Sequence, residues 1–239
     1  MPAPELYAAA ALAGGGVMAG MAAGIFHPRV MLFGPGVWKG PASRQAVALT
    51  FDDGPHPRYT ERIAETLQAH GAKATFFCIG REVEKHTALA RSLHAAGHQL
   101  ANHTYRHNTA ADLFLASRLA EDLRRCQDVL AGITGERGPY YRPAVGIRNP
   151  AVHGAAKQVG MTVVTWTDAA RDGAIAFTEP RARAMAARAR AGHILVLHDG
   201  SGQEHSELRE GTVKYLPLLL TELRARGLEL VTLRELLAG

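Results

Sequence analysis

Two adjacent aspartates, Asp52 and Asp53, end an apolar run, and two histidines lie four apart in His103-Thr104-Tyr105-Arg106-His107. Neighbouring carboxylates repel each other unless something positive sits beside them. On a helical turn, positions i and i+4 share a face, so two imidazoles there can grip one divalent ion. The chain has 12 histidines, and this spacing alone commonly marks a surface pair. A carboxylate brought alongside changes the reading. One Asp with two His leaves coordination positions open, as catalytic rather than structural sites do. An ion so held lowers the pKa of water that it binds and polarises a carbonyl. The spare aspartate can then serve as general base. His198, in Leu195-Val196-Leu197-His198-Asp199, leaves a strand end and can supply the acid, although alone it reads as a strand-end histidine. Arg142 and Asp172 fit as a cation beside the base and a carboxylate beside the acid. Taken singly, each reads as half of a surface salt bridge.

The elements that must position these groups alternate. Residues 46–51, 74–79, 99–103, 162–166, 193–198 and 228–233 have the apolar or β-branched pattern of strands, and 140–142 is a short aromatic stretch. Between them, 59–69, 82–96, 111–131, 149–159, 179–191 and 212–226 have helical spacing, with Gly97, Gly132, Gly192 and Gly227 as stops. Some seven strand–helix alternations predict a parallel α/β architecture. The dinucleotide fingerprint of the open, doubly wound fold does not follow the first strand; Asp52-Asp53-Gly54-Pro55 does. The ionisable residues sit at C-terminal strand ends, where α/β barrels gather their active sites. The expected fold is a distorted (β/α) barrel of about seven strands, preceded by an N-terminal hydrophobic segment.

At 239 residues with 47% hydrophobic content, the chain can bury one substantial core. A net charge of +5 suits an anionic neighbourhood such as a cell envelope. Its basic residues are scattered, as in Arg181, Arg183, Arg188 and Arg190, which reads as a solvated helix face and excludes nucleic acid as the expected partner. Two cysteines, Cys78 and Cys126, make neither a disulfide framework nor a zinc cluster. Residues 6–26 carry no charge, enough to span a bilayer, and Gly16, Gly20 and Gly24 keep the small-residue spacing of packed membrane helices. The expected organisation is a membrane anchor or leader over residues 1–26, a Gly/Pro-rich linker over 27–45 and a catalytic domain over 46–239. A cell-envelope location, anchored or secreted, follows. Arg29, Lys39 and Arg44 all come after the apolar segment and favour the alternative, a cytoplasmic catalytic part.

These motifs resemble those of the polysaccharide deacetylases with a NodB homology domain, carbohydrate esterase family 4. The resemblance spans roughly residues 44–237. Thr50-Phe51-Asp52-Asp53-Gly54-Pro55 and His103-Thr104-Tyr105-Arg106-His107 are full matches. Arg142-Pro143-Ala144-Val145-Gly146, Asp172-Gly173 and Leu195-Val196-Leu197-His198-Asp199 match in part and in order. The resemblance implies a metal-dependent hydrolase that removes N-acetyl groups from an amino-sugar polymer or oligosaccharide, peptidoglycan or chitin-like. It implies Asp52 as base, His198 as acid, Arg142 orienting Asp52 and Asp172 tuning His198. Asp53, His103 and His107 would hold the metal, usually zinc, with cobalt or nickel as alternatives, and the Val145 N–H would face the oxyanion.

The departures lie around the groove. Ala144-Val145 replaces Pro-Tyr, Gly173 replaces a Trp near the acid, and Val196 stands where a leucine lines the acetyl pocket. They bear on the substrate rather than on the reaction. Three other readings compete. Two His and a carboxylate also make the facial triad of iron oxygenases, but those prefer β-rich folds. A sugar-binding relative would have lost a ligand or the base, and none is lost. O-acetyl ester hydrolysis could use the same groups.

Overall fold

The computed structural model describes residues 20–108, 115–200 and 207–238. Its nine strands are β1 (Gly36–Val37), β2 (Ala46–Asp52), β3 (Thr75–Cys78), β4 (Gln99–Asn102), β5 (Tyr140–Tyr141), β6 (Thr162–Val164), β7 (Asp168–Ala169), β8 (Ile194–His198) and β9 (Glu229–Val231). All pair in parallel in one sheet, in the order β1-β6-β5-β4-β3-β2-β8-β7, with β9 on β2. The sheet curls. Residues 162–169 first pair with β5 through β6 and then reach β8 through β7, so a single passage of chain runs from the second strand of the path to its last. This is the expected α/β barrel, distorted because β5, β6 and β7 are short.

The central strand β2, Ala-Val-Ala-Leu-Thr-Phe-Asp, is buried at every position, the pattern of a parallel strand covered on both faces. Its two-residue period sorts the faces. Val47, Leu49 and Phe51 point outward into the core under the helices, with Leu195 and Leu197 of β8 and Phe76 of β3. Ala46 and Ala48 point inward with Phe77, Val164 and Ile194, where Leu233 and Leu236 of a last helix pack. The same period puts Thr50 and Asp52 on the inner face at the C-terminal end of β2, beside His198 of β8, which is in register with Asp52.

The helices are α1 (Tyr59–Ala69), α2 (Gly80–Lys85), α3 (Thr87–Ala95), α4 (Ala116–Thr134), α5 (Pro150–Gln158), α6 (Glu179–Arg188), α7 (Arg209–Ala225) and α8 (Leu233–Ala238). Two differ from expectation in an instructive way. The single helix expected over 82–96 is broken at His86, whose backbone leaves the helical region. Thr87 Oγ1 donates to the Val83 and Glu84 carbonyls, competing there with backbone donors. The helix expected to stop at Gly132 runs on to Thr134, because Leu130 and Ile133 still pack on the core. It ends at Gly135, which takes the left-handed conformation of a C-cap. The expected start at 111 lies outside the described residues.

β1 lies inside the stretch read as a linker, 27–45, and pairs with β6. Of the apolar segment 6–26, residues 6–19 lie outside the described residues, and 20–26 are helical. Among the described residues no helix is long and apolar enough to cross a membrane.

Candidate active site

Three acid–base or ligand groups converge at the C-terminal rim. Asp53 Oδ1 lies 3.3 Å from His103 Nε2 and 3.3 Å from His107 Nε2, and one ligand atom from each of the three fits within 4.8 Å. His103 Nδ1 is 2.7 Å from the Arg142 carbonyl. A carbonyl only accepts, so Nδ1 donates to it and Nε2 is the nitrogen turned toward Asp53. Burial works against the His103 imidazolium, but the hydrogen bond to Asp53 and the charges of Asp52 and Asp53 raise its pKa, so a proton bridges this pair where a divalent ion would replace it. The buried His107 Nε2 has no hydrogen-bond partner. Burial and the neighbouring His103 push the His107 imidazole down to about 4, so it is neutral, the ligating form. The donor set therefore fits a divalent ion. Asp53 is held below the usual carboxylate range: burial opposes ionisation, but the hydrogen bond and charge of His103, then His198 and His107, outweigh it. Its φ of 76° is unusual for a residue with a side chain.

The two histidines do not sit on a helical turn. They flank a loop in which Thr104 and His107 have φ of 66° and 54°. Side chains hold it. Asn102 Oδ1 accepts from the Thr104 N–H, and Thr104 Oγ1 from the His107 N–H. Asp122, on α4, accepts from the Tyr105 and Arg106 N–H groups at 2.7 and 3.0 Å. The rings end 4.9 Å apart, so a loop reproduces the closeness expected of a helix.

Beside this cluster, Asp52 Oδ1 accepts from Arg142 Nη1 at 2.7 Å, both groups being buried. Arg142 Nη1 also meets Thr50 Oγ1, its Nη2 donates to the Thr165 carbonyl, and its guanidinium lies 4.0 Å from the Phe77 ring centre. On the other side, His198 Nδ1 lies 2.7 Å from Asp172 Oδ1. Asp172 Oδ2 accepts from the His198 N–H and from Thr212 Oγ1, and Arg209 holds the Asp172 carbonyl. Burial works against the imidazolium, but Asp172 prevails through charge and hydrogen bond, and His198 is pushed up to about 9. Asp172 itself is buried, which would raise its pKa, yet His198 holds it below the usual range. Next to His198, burial pushes the Asp199 carboxyl up to about 7; Thr60 Oγ1 donates to its Oδ2.

Val145 stands at the rim, exposed, in a turn where its φ is 48°. The next residue must be glycine: a Cβ on Gly146, itself at positive φ, would lie 2.2 Å from the Trp166 ring. A Cβ on Gly173 would lie 3.3 Å from His198 Cε1 and Nε2, so this glycine leaves one side of the imidazole clear. Contacts thus join Asp53 with His103 and His107, Asp52 with Arg142, and His198 with Asp172, with Thr50, Asp122, Thr165, Arg209 and Thr212 holding them, while Val145 sits in the turn three residues after Arg142.

Over residues 39–164 the chain matches the family profile described as polysaccharide deacetylase. It is 33% identical over 207 residues to a peptidoglycan-N-acetylglucosamine deacetylase of Bacillus cereus, covering 84% of this chain and 92% of that one. This chain belongs to the polysaccharide deacetylase family. It is accordingly a hydrolase of non-peptide carbon–nitrogen bonds. A chitooligosaccharide deacetylase of Azorhizobium caulinodans is 30% identical over 196 residues, 79% of this chain and 92% of that one. Among solved structures, a peptidoglycan N-acetylglucosamine deacetylase bound to 4-naphthalen-1-yl-N-oxidanyl-benzamide superposes with a TM-score of 0.75 at 26% identity, over 85% of this chain and 92% of that one. The polysaccharide deacetylase profile covers Asp52, Asp53, His103, His107 and Arg142. Asp172 and His198 lie beyond it and stand on their geometry.

Proposed function

We propose that this polysaccharide deacetylase removes N-acetyl groups from an amino-sugar polymer or oligosaccharide, peptidoglycan or chitin-like, and releases acetate. The observation that supports this reading is the cluster of Asp53, His103 and His107 beside a paired carboxylate, Asp52, and a paired imidazole, His198. The relatives' substrates, peptidoglycan N-acetylglucosamine and chitooligosaccharide, and the +5 charge support a cell-envelope polymer.

The division of labour follows from the pairs. Asp53, His103 and His107 would hold a divalent metal, zinc by preference, which supplies Lewis-acid polarisation of the acetyl carbonyl and lowers the pKa of water. Asp52 takes the proton of the attacking water as general base, oriented by Arg142. The Val145 N–H faces the oxyanion; one preorganised donor of this kind contributes about 3 kcal/mol. His198 Nε2, turned outward because Nδ1 is tied to Asp172, gives its proton to the leaving nitrogen as the carbon–nitrogen bond breaks. The amine stays on the sugar, and acetate carries away the oxygen of water.

The acid must hold its proton, and Asp172 makes that so. His198, raised to about 9, stays protonated through neutral pH and is lost as an acid as pH climbs through that value. Asp172→Asn removes the charge that raises it. The alkaline limb of kcat/KM should then move about two units toward acid, and kcat at pH 8 should fall about 10-fold or more. A limb that stays in place would remove His198 from the role of acid.

Acetate release decides the function. N-acetylglucosamine oligomers, peptidoglycan and acetylated xylan would each be offered to the zinc-loaded protein. Release from the first two supports the N-deacetylase. Release from xylan alone would make the chain an O-acetyl esterase. Tight sugar binding with no release would make it a binding relative.

A further inference from the structure

Arg148 is wholly buried, and the oxygen acceptors of its guanidinium among the described residues are backbone carbonyls rather than a carboxylate. Burial without a counter-ion lowers its pKa. Its guanidinium is spent on backbone carbonyls instead. Nε donates to the Gly146 carbonyl at 3.3 Å, Nη1 to that of Val30 at 2.5 Å and Nη2 to that of His27, while its own N–H donates to the Ile25 carbonyl at 3.2 Å. One cation thus clasps the stretch 25–30 to the turn 144–148 that presents the Val145 N–H.

A second tie runs from the same stretch to the base. Thr165 Oγ1 donates to the Pro28 carbonyl at 2.5 Å, and Arg29 Nη2 to the Thr167 carbonyl at 2.7 Å. The Thr165 carbonyl, on the other side, accepts from Arg142 Nη2 at 3.1 Å, and Arg142 is the partner of Asp52. The backbone of residues 25–30 therefore lies one residue behind both the Val145 turn and the Asp52–Arg142 pair. A disposable linker would not absorb a buried arginine. An unpaired buried charge is destabilising, and hydrogen bonds to carbonyls are what offset it here.

We propose that Arg148 is a positioning residue. It uses residues 25–30 as a strap that holds the Val145 turn, and with it the oxyanion donor, in register with Asp52. The strap is then part of the catalytic machinery, although the sequence places it before the catalytic domain. The proposal rests on the deacetylase reading for its kinetic arm only.

The test uses the full chain with Arg148→Met, which keeps the buried methylenes and removes the donors, and Thr165→Val, which removes only the hydroxyl to Pro28. Removing an oxyanion donor outright costs about 10²–10³-fold in kcat; misplacing it should cost about 10-fold in Arg148→Met and about 3-fold in Thr165→Val, with KM for an N-acetylglucosamine oligomer within about 2-fold. The two effects should be less than additive, since both loosen one strap. Hydrogen–deuterium exchange of the amides of 144–148 should quicken in both variants, whether or not acetate is released. A kcat per folded molecule equal to wild type in both variants overturns the proposal, however far the melting temperature falls. Unchanged exchange at 144–148 overturns it as well. If Arg148→Met does not fold, Thr165→Val carries the same two readouts. A wild type that releases no acetate from any substrate would count against the deacetylase reading, and the exchange measurement would still decide the strap.

Discussion

Asp52→Asn should lower kcat by about 10²–10⁴-fold, with KM little changed and metal content equal to wild type. The substitution is nearly isosteric. The amide oxygen that it introduces can still accept from Arg142 Nη1, which lies 2.7 Å from Asp52 Oδ1 in the native chain, but an amide cannot take a proton from water. The ligand set is separate: Asp53, His103 and His107 meet one another, and Asp52 is not among them. This is what makes the experiment clean. Steady-state acetate release would be measured beside metal analysis of the same preparation. Arg142 loses its counter-charge in the variant, so a lower melting temperature is expected too. Activity is therefore read per folded molecule. A variant that keeps its metal and also keeps wild-type kcat would remove Asp52 from the role of base. A variant that loses its metal would place Asp52 in the ligand set instead.

The reason this site can be found in the sequence is that its main residues are strand ends. Asp52 follows an apolar run, and His198 follows Ile194–Leu197; apolar runs are legible, and in a parallel barrel their C-terminal ends share one rim. Strand period then fixes the face. What the sequence hides is support at a distance. Asp122 reads as one more polar residue on an amphipathic helix, and only the fold shows its carboxylate capping the loop between His103 and His107. Nothing in the sequence marks Arg148, because its acceptors are main-chain carbonyls, which every residue has and no motif records. The spacing of His103 and His107 suggests a helix and the loop gives the same closeness, since two positive-φ residues can turn a chain as tightly as a helical turn. The stop expected at Gly132 fails for a related reason. Both Gly132 and Gly135 can end a helix, and packing of Leu130 and Ile133 chooses between them. Local signals propose a boundary, and burial of the apolar face decides it.

Removing the metal should have an effect of comparable size. Polarising the carbonyl and readying the water are each proposed for the ion that Asp53, His103 and His107 would hold, and together these would contribute several kcal/mol. At about 1.4 kcal/mol per tenfold, the chelated protein should release acetate at least about 10³-fold more slowly, and added zinc should restore the rate. A stability readout runs alongside. Zinc that binds only the folded chain should stabilise it by about 2.7 kcal/mol at a hundredfold excess over Kd, seen as a rise in melting temperature. His107→Gln should abolish both the rise and the rate. His107 is the ligand to choose, because its Nε2 is buried without a hydrogen-bond partner, whereas His103 also carries the hydrogen bond to the Arg142 carbonyl. The two readouts separate the cases. Zinc stabilisation that disappears in His107→Gln, with a rate that survives full chelation, would leave a genuine metal site and a reaction that does not use it, and the base and acid would then have to carry the chemistry alone. Loss of both in parallel would tie the ion to the reaction.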